Sequence, residues 1–216
     1  MSDFEEFAKI ARLSRNCVIT EKIDGTNAQV HIVPAVDVPL LALDQSYVIA
    51  KNADGDVMLA GSRSRYVTPA ADNYGFAAWV KAHAEELWAL GPGRHYGEWW
   101  GSGCQRGYGL QNGEKRFSLF NSARWIRSEA ERIPQPELHD NRQRVMPPCC
   151  HVVPVLYRGP FSTEEVDVVL ASLRLTGSMA SPGFMRPEGV VIYHEAARTY
   201  FKKTLEKDEE PKGKRS

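Results

Sequence analysis

The chain has few of the features that mark membrane, secreted or strongly basic nucleic-acid-binding proteins. Its 216 residues include no apolar run near the roughly 20 residues that a membrane-spanning helix needs. Its N-terminus is acidic and amphipathic, unlike a signal peptide. Because 27 Lys and Arg residues are balanced by 27 Asp and Glu residues, no overall positive field attracts polyanions. We therefore expect a cytoplasmic protein with no membrane partner, in which any polyanion is bound by a local patch.

Cysteine is scarce, and its spacing does not suggest a disulfide framework. The four cysteines form no CxxC pair, and the adjacent Cys149 and Cys150 are poorly placed to bridge each other. His151 follows them, so a soft-metal site stays open as an alternative. The prolines before this pair and the β-type residues after it favour the start of a strand instead.

Common nucleotide-binding and hydrolase motifs are also absent. The chain contains no GxGxxG, Walker A, HExxH or GxSxG pattern. The composition, 43% apolar and 25% charged, is that of an ordinary globular protein. Most β-type segments come as hairpins around turns such as IDGTN, with helical segments between them. This order predicts an α+β fold with antiparallel sheets and flanking helices.

Periodicity and capping patterns place the elements approximately. Helices are predicted near residues 4–11, 73–90, 123–132 and 162–175, and one strand is predicted over 151–159. A β-hairpin is predicted from EGVVIYH to TYFKKTL. We expect a single domain over residues 1–205, followed by a charged, disordered tail over 206–216.

Lys22 is the strongest candidate for a reactive side chain. It stands at the end of a predicted strand, directly before the tight turn of Ile23, Asp24 and Gly25. A lysine becomes a nucleophile when its ammonium loses a proton, and rigid backbone can point it into a cleft. A KxDG match alone is weak evidence, because an edge-strand lysine often serves only solubility.

Further motifs follow Lys22 in a fixed order, and together they resemble the RNA ligase branch of the covalent nucleotidyltransferases, the superfamily of RNA and DNA ligases and mRNA capping enzymes. EKIDGTN looks like motif I of that superfamily, and SRSR looks like motif Ia. The later segments resemble motifs III, IIIa, IV and V, namely YGEWWG, FSLFN, EGVV and FKKT. The resemblance spans about residues 21–204 and implies a ligase adenylylation domain.

The resemblance implies catalytic roles for residues of motifs I, IV and V. Lys22 would attack the α-phosphate of ATP, release pyrophosphate and carry AMP as a covalent adduct. Lys202 would neutralise charge on that phosphate, with Lys203 also near the nucleotide. Glu188 and Glu98 would bind Mg²⁺ or Mn²⁺, for which oxygen ligands are suited.

The resemblance also implies a nucleotide-binding set. Glu21 and Ile23 would border the adenine, Asn27 would face the phosphates, and Phe120 would stack on the base. Arg63 and Glu98 would hold the ribose hydroxyls. Each of these residues could instead have only a structural role, such as a solvent-exposed charge. Phe120 could equally be a residue of the apolar core.

Two departures from the family pattern bear on mechanism. Asn121 stands where related ligases usually have an aspartate after the motif IIIa phenylalanine. In motif V the two lysines are adjacent, and Thr204 occupies the position expected for the second lysine. About a dozen residues follow motif V, so we expect no OB-fold or extra C-terminal domain, and adenylylation more efficient than sealing.

RNA is the expected partner, with nicked or 5′-phosphate ends as substrates and a protein partner possible for end recognition. The local patch is expected in the basic segment over residues 106–144, which carries eight arginines and lysines. The predicted function is therefore an ATP-dependent RNA ligase. The alternatives are a minimal DNA ligase, an end-adenylylating enzyme that seals poorly, and an inactive nucleotide- or RNA-binding protein.

Overall fold

The computed structural model describes residues 9–40, 44–131 and 143–206. The predicted helix near residues 4–11 lies mostly outside this part, as does the predicted tail beyond Glu206. The described chain divides into two compact units. The first unit contains residues up to Lys22 and from Pro154 onward, and the second runs from Ile23 to Val153. The prediction of a single domain stays a prediction.

The elements are mostly short strands. The helices are α1 (Phe76–Ala82), α2 (Ala84–Leu87) and α3 (Thr163–Thr176). The strands are β1 (Asn16–Lys22), β2 (Thr26–Val33), β3 (Val48–Lys51), β4 (Val57–Ser62), β5 (Tyr66–Val67), β6 (Gly93–Gly101), β7 (Lys115–Leu119), β8 (Trp125–Ile126), β9 (Arg144–Val145), β10 (Cys150–Val152), β11 (Val155–Pro160), β12 (Gly189–His194) and β13 (Thr199–Thr204). Short 3₁₀ turns occupy Val38–Leu40, Gln45–Tyr47, Trp88–Leu90, Gly107–Gly109 and Glu129–Glu131.

The first unit is one antiparallel sheet covered on one face by α3. The strand order is β11-β1-β12-β13. Alternate residues of β1 and β12 pack against apolar residues of α3: Cys17, Ile19, Val190 and Ile192 meet Val166, Val169, Leu170 and Leu173. As the capping pattern predicts, the Ser162 hydroxyl accepts a hydrogen bond from the Glu165 amide at 3.1 Å, at the start of α3.

The second unit is built on a seven-stranded sheet in the order β10-β7-β6-β2-β4-β3, with β5 paired to β4. Its pairings are antiparallel except between β7 and β10. Helices α1 and α2 pack on one face, where Ala28, Val30, Phe117 and Leu119 meet Phe76, Val80 and Leu87. The predicted α+β architecture with antiparallel sheets is therefore confirmed.

Four predictions differ from the structure. The strands on either side of IDGTN do not form a hairpin, because β1 and β2 lie in different sheets. The helix expected over 73–90 is interrupted at His83, whose φ of −108° and ψ of 17° separate α1 from α2. The helix expected from residue 123 is absent from its described part, because Trp125 and Ile126 are buried and pair with Arg144 and Val145. The single strand expected over 151–159 is two strands, which lie in different sheets.

Across the described residues, no helix combines the length and apolarity that crossing a membrane requires.

Candidate active site

Lys22 ends β1 beside a carboxylate of the first unit. Its Nζ lies 2.5 Å from Oε2 of Glu188, and the two side chains are 20% and 5% exposed. Glu188 directly precedes β12, and the pairing of Lys22 with Gly189 brings both side chains to the same end of the sheet. Hydrogen bonds between two charged groups are the stronger kind. The structure thus joins the predicted nucleophile to a predicted metal ligand.

A glycine beside this pair is required by close packing of the backbone. At Gly189, φ is +153°, and a Cβ would lie 2.2 Å from the carbonyl oxygen of Lys203. A side chain at this position would therefore push β13 away from β12.

The strand register separates the two adjacent lysines of β13. Lys202 lies opposite Val191, which lies opposite Thr20 on β1. Side chains that face each other across neighbouring strands share a face, as do residues two apart along a strand. Lys202 therefore lies on the same face of the sheet as Lys22, and its side chain is exposed.

Lys203 belongs to the opposite face, which packs on α3. It lies opposite Val190, a residue of the apolar core. Its Nζ pairs with Oδ1 of Asp167 on α3 at 2.6 Å. The predicted role of Lys203 at the nucleotide stays a prediction, and this geometry favours Lys202 over Lys203.

Glu21 is a buried anchor on the α3 side of the sheet. Its carboxylate accepts hydrogen bonds from the Ser178 hydroxyl at 2.6 Å and from the amides of Met179 and Ala180 at 2.8 and 2.9 Å. Burial raises the pKa of Glu21, and these three hydrogen bonds oppose the rise. The Glu21 side chain, which was predicted to border the adenine, therefore binds residues 178–180 after α3. It lies on the opposite face of the sheet from the Lys22 side chain, because neighbouring residues of a strand alternate.

We expect Glu21→Ala to lower the free energy of unfolding by about 3 kcal/mol, because the buried Ser178 hydroxyl and two partly buried amides would lose their acceptor, and a buried donor without a partner costs about 1–3 kcal/mol. Urea denaturation followed by circular dichroism measures this change. Glu195→Ala, which removes an exposed carboxylate from the same unit, is the control and should change stability little. Equal stability of both variants would show that Glu21 does not anchor residues 178–180.

In the second unit, three side chains hold the turn that follows Lys22. The Asp24 amide donates to the Tyr108 hydroxyl at 3.1 Å, and the Arg106 guanidinium donates to the Asp24 carboxylate at 3.1 Å. The Gly25 amide donates to Oε1 of Glu98 at 3.0 Å. The loop after β6 and the motif III glutamate thus fix the backbone of motif I.

Ile23 and Gly25 are both packed closely in this unit. Ile23 is 4% exposed. A Cβ on Gly25 would lie 2.4 Å from the carbonyl oxygen of Trp99, so this turn requires glycine. Because the Ile23 side chain is buried, the predicted contact with a nucleotide would have to be made by the backbone of this residue.

Asn27 and Glu98 form part of a polar row across the seven-stranded sheet. Asn27 lies opposite Glu98, Glu98 opposite Ser118, and Ser118 beside His151 on β10. These residues alternate with core residues, so the row lies on the face away from α1 and α2. Burial is the main cause of a lowered pKa of His151, with a smaller contribution from Arg116. Sequence reasoning missed His151 in this row, because it considered the residue only as a metal ligand beside the cysteines.

Arg63 and Phe120 both lie just beyond the ends of strands in the second unit. Arg63 is exposed after β4, whereas the Arg65 guanidinium hydrogen-bonds the carbonyl oxygen of Ala71 at 3.3 Å. Arg63 is therefore the more available of the two for a ligand, and its predicted role at the ribose stays a prediction. Phe120 is 37% exposed, and its amide donates to the Tyr96 carbonyl at 3.0 Å. A partly exposed ring is compatible with the predicted stacking role.

The basic segment offers less available charge than its composition suggests. Four of its arginines make contacts within the fold: Arg106 with Asp24, Arg116 with Glu114, Arg124 with the Leu90 carbonyl and the Trp125 ring, and Arg127 with Glu131. Burial lowers the pKa of Arg124. Arg132 and Arg142 lie outside the described residues. The predicted RNA patch in this segment stays a prediction.

Comparison with known proteins identifies the family. The model of the RNA ligase family matches residues 15–207, which is most of the chain, and the chain belongs to this family. This result confirms the predicted resemblance. No functionally curated protein matches the chain at a significant level.

Solved structures of RNA ligase from Naegleria gruberi share the fold. A mutant with ATP and Mn is 18% identical, with a TM-score of 0.50, and the match covers 88% of this chain and 48% of that one. A mutant with AMP and Mn is 18% identical, with a TM-score of 0.51, covering 88% and 49%. A ligand-free mutant is 19% identical, with a TM-score of 0.50, covering 88% and 50%. The chain therefore has the RNA ligase nucleotidyltransferase fold and spans about half the length of these proteins.

Proposed function

We propose that this member of the RNA ligase family is an ATP-dependent ligase that forms a lysyl-AMP intermediate on Lys22 and transfers AMP to a 5′-phosphate end of RNA. The observation that carries the proposal is the pairing of Lys22 with Glu188 on a sheet face shared with Lys202. A nucleophilic lysine, a carboxylate and a second cation on one face are the groups that phosphoryl transfer needs for positioning and charge neutralisation.

In the first step, Lys22 would exchange its partner. While Nζ is paired with Glu188 as an ammonium ion, it has no lone pair for attack. After Nζ leaves Glu188 and gives its proton to solvent, the amine would attack the α-phosphorus of ATP. The N–P bond forms as the bond between the α-phosphorus and the bridging oxygen breaks, and pyrophosphate leaves. Lys202 would balance the charge that builds on the α-phosphate oxygens.

The carboxylates of this chain fit a divalent metal ion. Glu188, 5% exposed, and Glu98, half-buried, offer oxygen donors of the kind that Mg²⁺ and Mn²⁺ prefer. When bound, such an ion would neutralise phosphate oxygens and favour the departure of pyrophosphate. Glu188 in the first unit and Glu98 in the second are each a candidate residue to hold such an ion. Either ion is compatible with this donor set.

Several side chains of the second unit, taken by itself, are suited to contact a nucleotide. Glu98 has one oxygen on the Gly25 amide, which keeps its carboxylate fixed for a ribose hydroxyl or a metal. Asn27 lies beside it in the polar row. Arg63 and Phe120 are exposed enough to contact ribose and base. Fixed polar groups of this kind lose little entropy on binding.

Two transfers to RNA would complete the reaction. An oxygen of the RNA 5′-phosphate attacks the phosphorus of lysyl-AMP, so the N–P bond breaks and a pyrophosphate linkage to RNA forms. A 3′-hydroxyl then attacks the original 5′-phosphate phosphorus and expels AMP, which leaves a phosphodiester. Family membership supports RNA as the substrate.

The experiment that tests the proposal incubates the protein with α-labelled ATP, Mg²⁺ or Mn²⁺, and a nicked duplex whose 5′-phosphate strand is RNA. We expect label to pass from protein to RNA, followed by joined product. A 5′-hydroxyl RNA strand should accept no label. The same duplex made of DNA separates an RNA ligase from a DNA ligase.

Each alternative function predicts a different pattern of label. Label that reaches RNA without joined product in either duplex or single-strand form would indicate an end-adenylylating enzyme. A protein that binds ATP but never becomes labelled would contradict the proposal and favour the binding-protein alternative.

A further inference from the structure

A separate group of potential metal ligands lies in the second unit. Among the described residues, the side chains of His83, Glu86 and Cys149 bring one ligand atom each to within 4.8 Å of the others. Nδ1 of His83 lies 2.9 Å from Oε1 of Glu86. All three residues are half-buried. They come from segments more than 60 positions apart in the chain.

The local fold explains why these side chains meet. His83 interrupts the helical segment between α1 and α2, and Glu86 follows one turn later on α2. The ring of His83 is held against Trp79, with ring centroids 5.1 Å apart. Cys149 directly precedes β10 and packs against the apolar core on which α1 and α2 lie. The ligand atoms are therefore supported by packed elements.

We propose that His83, Glu86 and Cys149 form a Zn²⁺ site. A thiolate, an imidazole and a carboxylate are ligands that Zn²⁺ accepts, and three protein ligands leave a fourth tetrahedral position for water. The sulfur ligand disfavours Mg²⁺ and Ca²⁺, which prefer oxygen. Zinc bonds of about 2.0–2.3 Å place ligand atoms about 3.3–3.8 Å apart. To reach this geometry, the distance of 2.9 Å between His83 and Glu86 would lengthen, and separations of up to 4.8 Å would shorten.

The site is distinct from the residues of the second unit that are proposed to bind the nucleotide. The three ligands lie on the helix side of the seven-stranded sheet, whereas Asn27 and Glu98 lie on its other face. The bound ion would tie α1 and α2 to the start of β10. Its role would be to stabilise the second unit, because a ligand that binds only the folded state raises stability.

The test begins with the 216-residue chain freed of metal by a chelator and titrated with Zn²⁺ in a calorimeter, with elemental analysis for stoichiometry. We expect one equivalent of Zn²⁺ and a rise in the thermal unfolding midpoint. His83→Ala and Cys149→Ser should weaken Zn²⁺ binding by at least about a hundredfold, since even outer ligand contacts contribute about 10–100-fold. Glu86→Gln should weaken it by about tenfold.

Glu85→Gln is the matched control, because Glu85 is the exposed carboxylate next to Glu86 on α2. It should leave Zn²⁺ affinity unchanged, and circular dichroism should show that each variant is folded. Co²⁺ serves as a second probe: a thiolate-to-cobalt charge-transfer band should appear with the wild type and vanish with Cys149→Ser. Absence of Zn²⁺ binding by the wild type, or a band that persists without Cys149, would overturn the proposal.

Discussion

Replacing Lys22 with Ala is expected to abolish covalent labelling by α-labelled ATP, with a loss of at least about 10⁴-fold, as for other enzymes deprived of their nucleophile. Lys22→Arg should lose labelling to the same extent. Arginine can keep a cation beside Glu188, but its guanidinium stays protonated and does not attack phosphorus. Intact mass spectrometry and denaturing electrophoresis after incubation with ATP and Mg²⁺ measure the adduct.

The arginine variant separates chemistry from structure. If Lys22→Arg keeps wild-type stability but forms no adduct, the loss of labelling is caused by the loss of the nucleophilic amine and not by unfolding. Lys81→Ala, which removes an exposed lysine of α1, is the control and should label normally. An adduct that persists in both Lys22 variants would transfer the role of nucleophile to another residue.

The second large effect is expected at β13. Lys202→Ala should slow formation of the adduct by at least about a hundredfold, since a preorganised charge contact at the transition state contributes a few kcal/mol. The neighbouring change Lys203→Ala should alter the rate by no more than about threefold, because Lys203 lies on the α3 face and pairs with Asp167. Single-turnover labelling with ATP in excess measures both rates.

Lys203→Ala is itself the matched control for this prediction. The pair that it breaks is 40% and 63% exposed, and such surface pairs contribute about 0–1 kcal/mol, so the variant should remain folded. Finding Lys203 essential and Lys202 dispensable would reverse the assignment of the two lysines and show that the register does not determine which one reaches the phosphate.

The sequence predicted the family, the fold class and the order of the motifs, because these depend on local patterns and their spacing. Local patterns could not show which of the two adjacent lysines of motif V lies on the same face of the sheet as Lys22. Their faces depend on the pairing of β13 with β12, and the neighbouring Thr204 leaves the motif compatible with either lysine. The register, with Lys202 opposite Val191 and Lys203 opposite Val190, assigns the two lysines to opposite faces of the sheet and favours Lys202 for the phosphate.

Long-range contacts account for the other differences. Glu21 has its partners more than 150 positions away, so no local pattern indicated that its carboxylate is an anchor. Residues 123–131 have helical composition, yet Trp125 and Ile126 are buried and pair with Arg144 and Val145, which no local pattern indicates. The sequence predicts Arg124 to be part of a basic surface patch, but its side chain donates a hydrogen bond to the Leu90 carbonyl, 34 positions away in the chain.

The opposite orientations of Glu21 and Lys22 make β1 sensitive to length. Because side chains alternate along a strand, inserting or deleting one residue between Asn16 and Glu21 would exchange the faces of every residue on one side of the change. Either the anchor for residues 178–180 or the apolar residues under α3 would then face the wrong way. Among homologues, we therefore expect β1 to vary in sequence but keep its length, whereas the loop between β2 and β3 can vary in both.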